Sequence, residues 1–97
     1  MLTLNELKKR LYAHKRELYE KYKIKKIGIF GSFVRNEQNI ESDIDILVEF
    51  EVTPTLLKFI NLENYLSELL GIKVDLVMKK ALKPTIGKSI LKEVVFI

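Results

Sequence analysis

The residues best suited to chemistry are a Gly-Ser pair, Gly31 and Ser32, and three aspartates, Asp43, Asp45 and Asp75. In a strand, residues two apart point to the same face, so Asp43 and Asp45 project side by side while Ile44 and Ile46 turn into a core. Adjacent carboxylates repel unless a cation or a proton lies between them. Asp75 sits within the apolar run Ile72 to Met78, where a carboxylate needs a cation, a hydrogen-bond network or a solvent-facing cleft. If the strands bearing these groups are neighbours, three oxygen ligands with no His or Cys among them suit a hard cation such as Mg²⁺. Two such ions would clamp the attacking and leaving oxygens of a displacement at phosphorus. If Ser32 to Arg35 opens a short helix, its free N–H groups favour an anion such as phosphate at the Gly-Ser pair; taken alone, the pair is simply a turn.

The elements that must position these groups follow from periodicity. Thr3 and Glu6 form a capping box with Leu2 and Leu7 as a hydrophobic staple, which starts a helix at residue 4. Leu4, Leu7, Leu11, Leu18 and Tyr22 continue one apolar stripe, with His14 on the same stripe as a packed histidine rather than an acid/base group. Lys25 to Phe30 reads as a strand ended by Gly31, and Asp43 to Phe50 as a second, its terminal Glu49 and Glu51 solvated. Thr53 and Pro54 are expected to start a helix whose apolar face is Leu56, Phe59, Ile60, Leu66, Leu69 and Leu70, closed by Gly71. Ile72 to Met78 forms a third strand, and Pro84 begins a last helix. The tail Val94 to Ile97 suits either a short edge strand or a helix end. Strands separated by helices give an α/β sheet with one face covered by helices.

Ninety-seven residues bound what can surround the site. A chain of this length buries roughly 60 to 65% of its unfolded surface, so one small core and no deep self-contained pocket are expected. It contains no cysteine, which removes disulfides and thiolate metal sites. No stretch has the length of a membrane span and the N-terminus lacks a signal-peptide run, so a soluble, cytoplasmic protein without a membrane partner is expected. The net charge of +4 is segregated: residues 1 to 27 carry nine Lys/Arg and three Asp/Glu, residues 28 to 78 three and nine, and residues 79 to 97 five and one. Basic ends of this kind attract nucleic acid, a nucleotide or an acidic partner, or are simply solvated helix surface; the solvated surface is the reading taken for Lys8, Lys9, Arg10, Lys15 and Arg16.

The spacing Gly31-Ser32, ten residues, Asp43-x-Asp45, followed by Asp75 in KVDLV, resembles the nucleotidyltransferases of the DNA polymerase β superfold. The size, the opening helix and the tail VDLVMKKALKPTIGKSILKEVVFI are similar to the minimal nucleotidyltransferase domains, the MntA-like antitoxin group that pairs with HEPN toxins. The resemblance covers nearly the whole chain. It implies a single domain over 1–97, α/β with a small mixed sheet and helices mainly on one face, as in the polymerase palm. It further implies that Asp43 and Asp45 hold metal ions, two Mg²⁺, bridging the triphosphate, and that Asp75 completes the second metal site and helps activate the attacking hydroxyl. Gly31 and Ser32 would contact the β and γ phosphates of ATP. The family usually has a basic residue after the Ser and a small residue, often Gly, before position 37; here Phe33 and Asn36 stand there, and Arg35 is the nearest phosphate-binding replacement unless it serves only the surface.

Larger relatives carry an added helical domain for base and acceptor, so the acceptor is expected on a partner. In the group this chain resembles, that partner is a HEPN-domain RNase toxin, silenced when AMP passes from ATP to a tyrosine near its active site. A contact-only antitoxin of the same fold and transfer to a small molecule are the alternatives; nucleic acid is not expected as a direct partner.

Overall fold

The computed structural model describes residues 2–97. The first helix, α1, spans Leu4–Ala13 and is capped as expected, the Thr3 hydroxyl accepting a hydrogen bond from the Glu6 amide at 3.3 Å. The apolar stripe is carried by two helices rather than one continuous helix. At His14 the backbone leaves helical geometry (φ −110°, ψ 12°), the His14 amide bonds to Leu11 O at 3.1 Å, one residue short of the helical ladder, and α2 resumes over Lys15–Tyr22. The stripe survives the break: Leu7, Leu11 and Leu18 are fully buried and Tyr22 nearly so. His14 is half-buried at this break, with Nδ1 3.1 Å from Arg10 O.

Among the described residues, four strands form one mixed sheet in the order β3-β2-β1-β4. The strands are β1 (Ile24–Phe30), β2 (Ile44–Phe50), β3 (Val74–Met78) and β4 (Val95–Phe96). β1 lies antiparallel to both β2 and β4, and β2 runs parallel to β3. The second strand therefore begins one residue after Asp43, and the third two residues after Ile72. The undecided tail resolves as a strand, its approach demanding glycine: a Cβ on Gly28 would lie 2.7 Å from Val94 Cγ2 and 2.9 Å from Val95 O. Alternation along β2 sends Ile44, Ile46 and Val48 into the core beside Ile27, Ile29, Val74 and Leu76. Asp45, Leu47 and, from β1, Phe30 turn to the opposite face.

The core face is covered by α1, α2 and α3 (Leu56–Leu70), which supplies the buried Leu62, Leu66 and Leu70. The expected start of α3 at Thr53-Pro54 is corrected to Thr55, whose hydroxyl accepts from the Lys58 amide at 3.2 Å; the Thr53 hydroxyl instead bonds the Lys80 ammonium. The face that packs on the sheet is Leu62, Leu66 and Leu70, with Phe59 and Leu69 partly buried beside it, whereas Leu56 and Ile60 are exposed. Gly71 ends the helix as expected, and Arg10 donates to Leu70 O at 2.9 Å, satisfying a helix-end carbonyl. Glu49, expected to be solvated, pairs with Lys79 at 3.2 Å. A single 3-10 turn, Lys79–Ala81, leads to α4 (Pro84–Glu93), with Pro at its start as expected.

The outer edge of β3 is closed by α3. Ser67 Oγ accepts from the Val74 amide at 3.0 Å and Glu63 Oε2 from the Leu76 amide at 2.9 Å, so both outward N–H groups flanking Asp75 are satisfied. Removing an acceptor leaves a part-buried amide unpaired, which costs about 1–2 kcal/mol. Ser67→Ala and Glu63→Ala are each expected to lower the denaturation midpoint by that amount in urea titrations, with an unchanged slope.

Candidate active site

Gly31 to Asn36 form successive turns rather than a helix. Val34 and Arg35 amides donate to Gly31 O at 3.0 and 3.2 Å, and the Glu37 amide to Ser32 O at 2.9 Å, leaving the Ser32 and Phe33 amides outside the turn's own bonding. Two residues have left-handed backbones, Gly31 (φ +84°) and Asn36 (φ +57°). Asn adopts that conformation more readily than other residues with a Cβ, so Asn36 does here what a glycine would do. Phe33 is buried in the core at 3% exposure and anchors the turn from beneath. Asn36 thus keeps a left-handed backbone where the resembled pattern has a small residue, and Phe33 packs into the core where that pattern has a basic one. Gly31 has a further reason to lack a side chain: a Cβ there would overlap the Asp45 carboxylate, 3.0 Å from its Cγ.

The three aspartates are delivered by the β2–β3 pairing. Parallel register sets Asp45 directly opposite Asp75, and Asp43 precedes the strand by one residue. The entry to β2 is tied to β3 by the Ile44 amide on Lys73 O at 2.9 Å. The loop before it is folded by Asn39 and Ser42: the Asn39 amide donates to Ser42 Oγ at 2.9 Å and the Glu41 amide to Asn39 Oδ1 at 2.8 Å. Asp43 and Asp75 are exposed and Asp45 half-buried. Burial first, then the charges of Asp75 and Asp43, push the Asp45 carboxyl above its ordinary value, against a lowering by Arg35. Among the described residues no three His, Cys, Asp or Glu side chains close on one point as a finished metal cage. The donor set still suits Mg²⁺, which takes one or two carboxylates and fills its shell with water and phosphate oxygens. A divalent cation there would offset both the burial of the Asp45 carboxylate and the neighbouring charges of Asp75 and Asp43.

Sequence reasoning missed Glu93. Its Oε2 accepts from the Gly31 amide at 2.8 Å and its Oε1 from Arg35 Nη1 at 2.7 Å, while Arg35 Nε lies 3.3 Å from Glu37 Oε1. The Arg35 contacts and the Gly31 amide hold the Glu93 carboxyl below its ordinary value, burial opposing them only in part. The available signal was compositional, since Glu93 is the one acid among the five lysines of residues 79 to 97. Phe30, Gly31, Arg35, Asp45, Glu93 and α4 residues Thr85, Ile86, Ser89 and Ile90 line a cleft of about 380 Å³. A smaller concavity of about 230 Å³, at Glu49, Phe50 and Met78, lies at the other end of β2 and β3, away from the aspartates.

The fold is that of a minimal nucleotidyltransferase. A solved structure described by that name superposes with a TM-score of 0.82 at 34% identity, covering 97% of this chain and 95% of that one. Residues 11–97 match the nucleotidyltransferase domain family, and the chain belongs to it. Protein adenylyltransferase MntA of Thermococcus cleftensis is 57% identical over 97 residues, spanning all of this chain and 98% of that protein. Two toxin–antitoxin structures share the fold. One, with AMP-PNP, has a TM-score of 0.72 at 24% identity over 87% of this chain and 69% of that chain. The other, a tri-AMPylated Shewanella oneidensis HEPN toxin with its MNT antitoxin, has a TM-score of 0.69 at 21% identity over 93% and 70%.

Two substitutions probe this arrangement. Gly31→Ala combines left-handed strain with displacement of the Asp45 carboxylate and is expected to destabilise the chain by about 1–2 kcal/mol or more, read as a lowered urea midpoint. Asp45→Asn is expected to raise the thermal midpoint at neutral pH in chelator. The sign follows from linkage: a carboxyl whose folded pKa is raised destabilises the fold when ionised, so the advantage of Asn is present above that pKa and fades as pH falls through it. Melting curves of both proteins across the acid range check it.

Proposed function

We propose that this chain is a single-domain, cytoplasmic, Mg²⁺-dependent protein adenylyltransferase that transfers AMP from ATP to a tyrosine of a HEPN-domain toxin and so acts as its antitoxin. The observation that carries the proposal is the parallel register that sets Asp45 opposite Asp75, with Asp43 alongside and the Gly31 turn packed on the Asp45 carboxylate. The name of the Thermococcus relative supports protein adenylylation, and the AMP-PNP and tri-AMPylated complexes support the nucleotide and the partner.

In this proposal Asp43 and Asp45 hold the metal ions, and Asp75 completes the second site. When bound, the ions neutralise charge on the triphosphate and on the attacking and leaving oxygens. Ser32 and Arg35 contact the terminal phosphates, and the cleft beside α4 receives the nucleotide. The tyrosine oxygen of the partner attacks the α-phosphorus, its proton passing to the exposed Asp75 carboxylate. The bond from the α-phosphorus to the bridging oxygen breaks, and pyrophosphate leaves. The open cleft leaves the acceptor to come from the partner surface.

Incubation with ATP, Mg²⁺ and the partner encoded beside this chain is expected to add AMP mass to the partner. An unchanged partner mass, where another family member modifies its own partner in parallel, defeats the proposal. Asp43→Asn combined with Asp45→Asn is expected to abolish both the mass gain and neutralisation while circular dichroism stays native. Neutralisation that survives the double substitution would assign the antitoxin effect to contact alone.

A further inference from the structure

Glu93 lies at the nucleotide cleft without belonging to the motif that defines it. Its carboxylate takes one backbone amide and one guanidinium nitrogen, Gly31 N at 2.8 Å and Arg35 Nη1 at 2.7 Å. Paired carboxylate oxygens on an amide and an arginine reproduce the contacts of two phosphate oxygens. The position matters as much as the chemistry, because Gly31 packs directly on the Asp45 carboxylate and Arg35 lines the same cleft. A triphosphate arriving there brings several negative charges to donors already taken by an anion. Both cannot hold Gly31 N and Arg35 Nη1 together.

The backbone around Glu93 offers no way to withdraw as a lid. The Val94 amide bonds to Ile90 O at 2.9 Å, the Ile97 amide to Ile27 O at 2.9 Å, and β4 is pressed against Gly28 without room for a methyl group. The Glu93 side chain itself is 22% exposed and has its own rotatable bonds, so rotation toward solvent frees the donors while β4 stays paired. Arg35, released from Glu93, keeps Glu37 as a second partner on the solvent side.

Resting on the nucleotide function proposed above, we infer that Glu93 is a determinant of nucleotide affinity: its carboxylate occupies the seat of the terminal phosphates on Gly31 and Arg35, and ATP binds by displacing it. Glu93 is a positioning residue here, acting on Arg35 and the Gly31 turn rather than on the reacting atoms.

The test uses the full chain, a non-hydrolysable ATP analogue with Mg²⁺, and adenosine as a phosphate-free control, measured by calorimetry. Glu93→Gln keeps the shape and removes the charge; it is expected to bind the analogue about two- to fivefold more tightly, the range set by exposed ion pairs. Adenosine affinity is expected to stay the same, and the gain to shrink in an Arg35→Gln background. Glu93→Asp, one methylene too short to reach both donors but still charged, is expected to show a smaller gain in the same direction and decides the matter if Glu93→Gln melts early. Analogue affinity that is equal or weaker in both folded variants overturns the inference and makes Glu93 a brace for Arg35. Failure of the unaltered, folded chain to bind the analogue overturns the nucleotide function itself, and the inference with it.

Discussion

Like-charge repulsion among Asp43, Asp45 and Asp75 is the constraint around which this molecule is built. Left to side-chain electrostatics the three would separate. The backbone ladder between β2 and β3 sets Asp45 opposite Asp75, and the same alternation that turns Asp45 to one face buries Ile44, Ile46 and Val48 on the other. Register and function are locked together, since a slip of one residue would move the whole apolar set of β2 out of the core. Hydrophobic burial on one face of a strand thus holds an unfavourable charge arrangement on the other. Burial, and after it the charges of Asp75 and Asp43, hold the Asp45 carboxyl above its ordinary value.

A second theme is that side chains from one element complete the backbone of another. Arg10 of α1 satisfies the end of α3 through Leu70 O, Ser67 and Glu63 of α3 satisfy the edge of β3, and Glu93 of α4 satisfies the turn after β1. Each contact meets a donor or acceptor that regular structure leaves open. Together they fix the two ends of the site, the turn carrying Gly31 and the strand carrying Asp75, without adding residues to the small core.

Much of this was legible from residue order. The N-cap at Thr3, the strand alternation at Ile44 to Phe50, the termination at Gly71 and Pro84 at the start of α4 are local rules, and the structure follows them. The pairing of β2 with β3 was conditional on topology that a spacing cannot supply. The start of α3 differs from expectation because Thr53 and Thr55 are both cap residues, and it is Thr55 whose hydroxyl accepts from the Lys58 amide. The break at His14 has no Pro or Gly to announce it. Phe33 and Asn36 looked like losses from a binding motif because a sequence does not show that one faces the core and the other needs a left-handed backbone. Glu93 was invisible for a different reason: its partners, Gly31 and Arg35, lie about sixty residues away and nothing local marks the contact.

That separation has a kinetic side. Gly31, Asp45, Asp75 and Glu93 come from four distant stretches, joined by a parallel crossover through α3 and by a two-residue strand that returns to β1 from the far end of the chain. Pairings of this kind close long loops, and they form late compared with helices, whose contacts are local. A partly folded molecule can therefore possess α1, α2 and α3 and still have no site at all. The aspartates come together only when β2 pairs with β3, so the arrangement exists only in the assembled sheet.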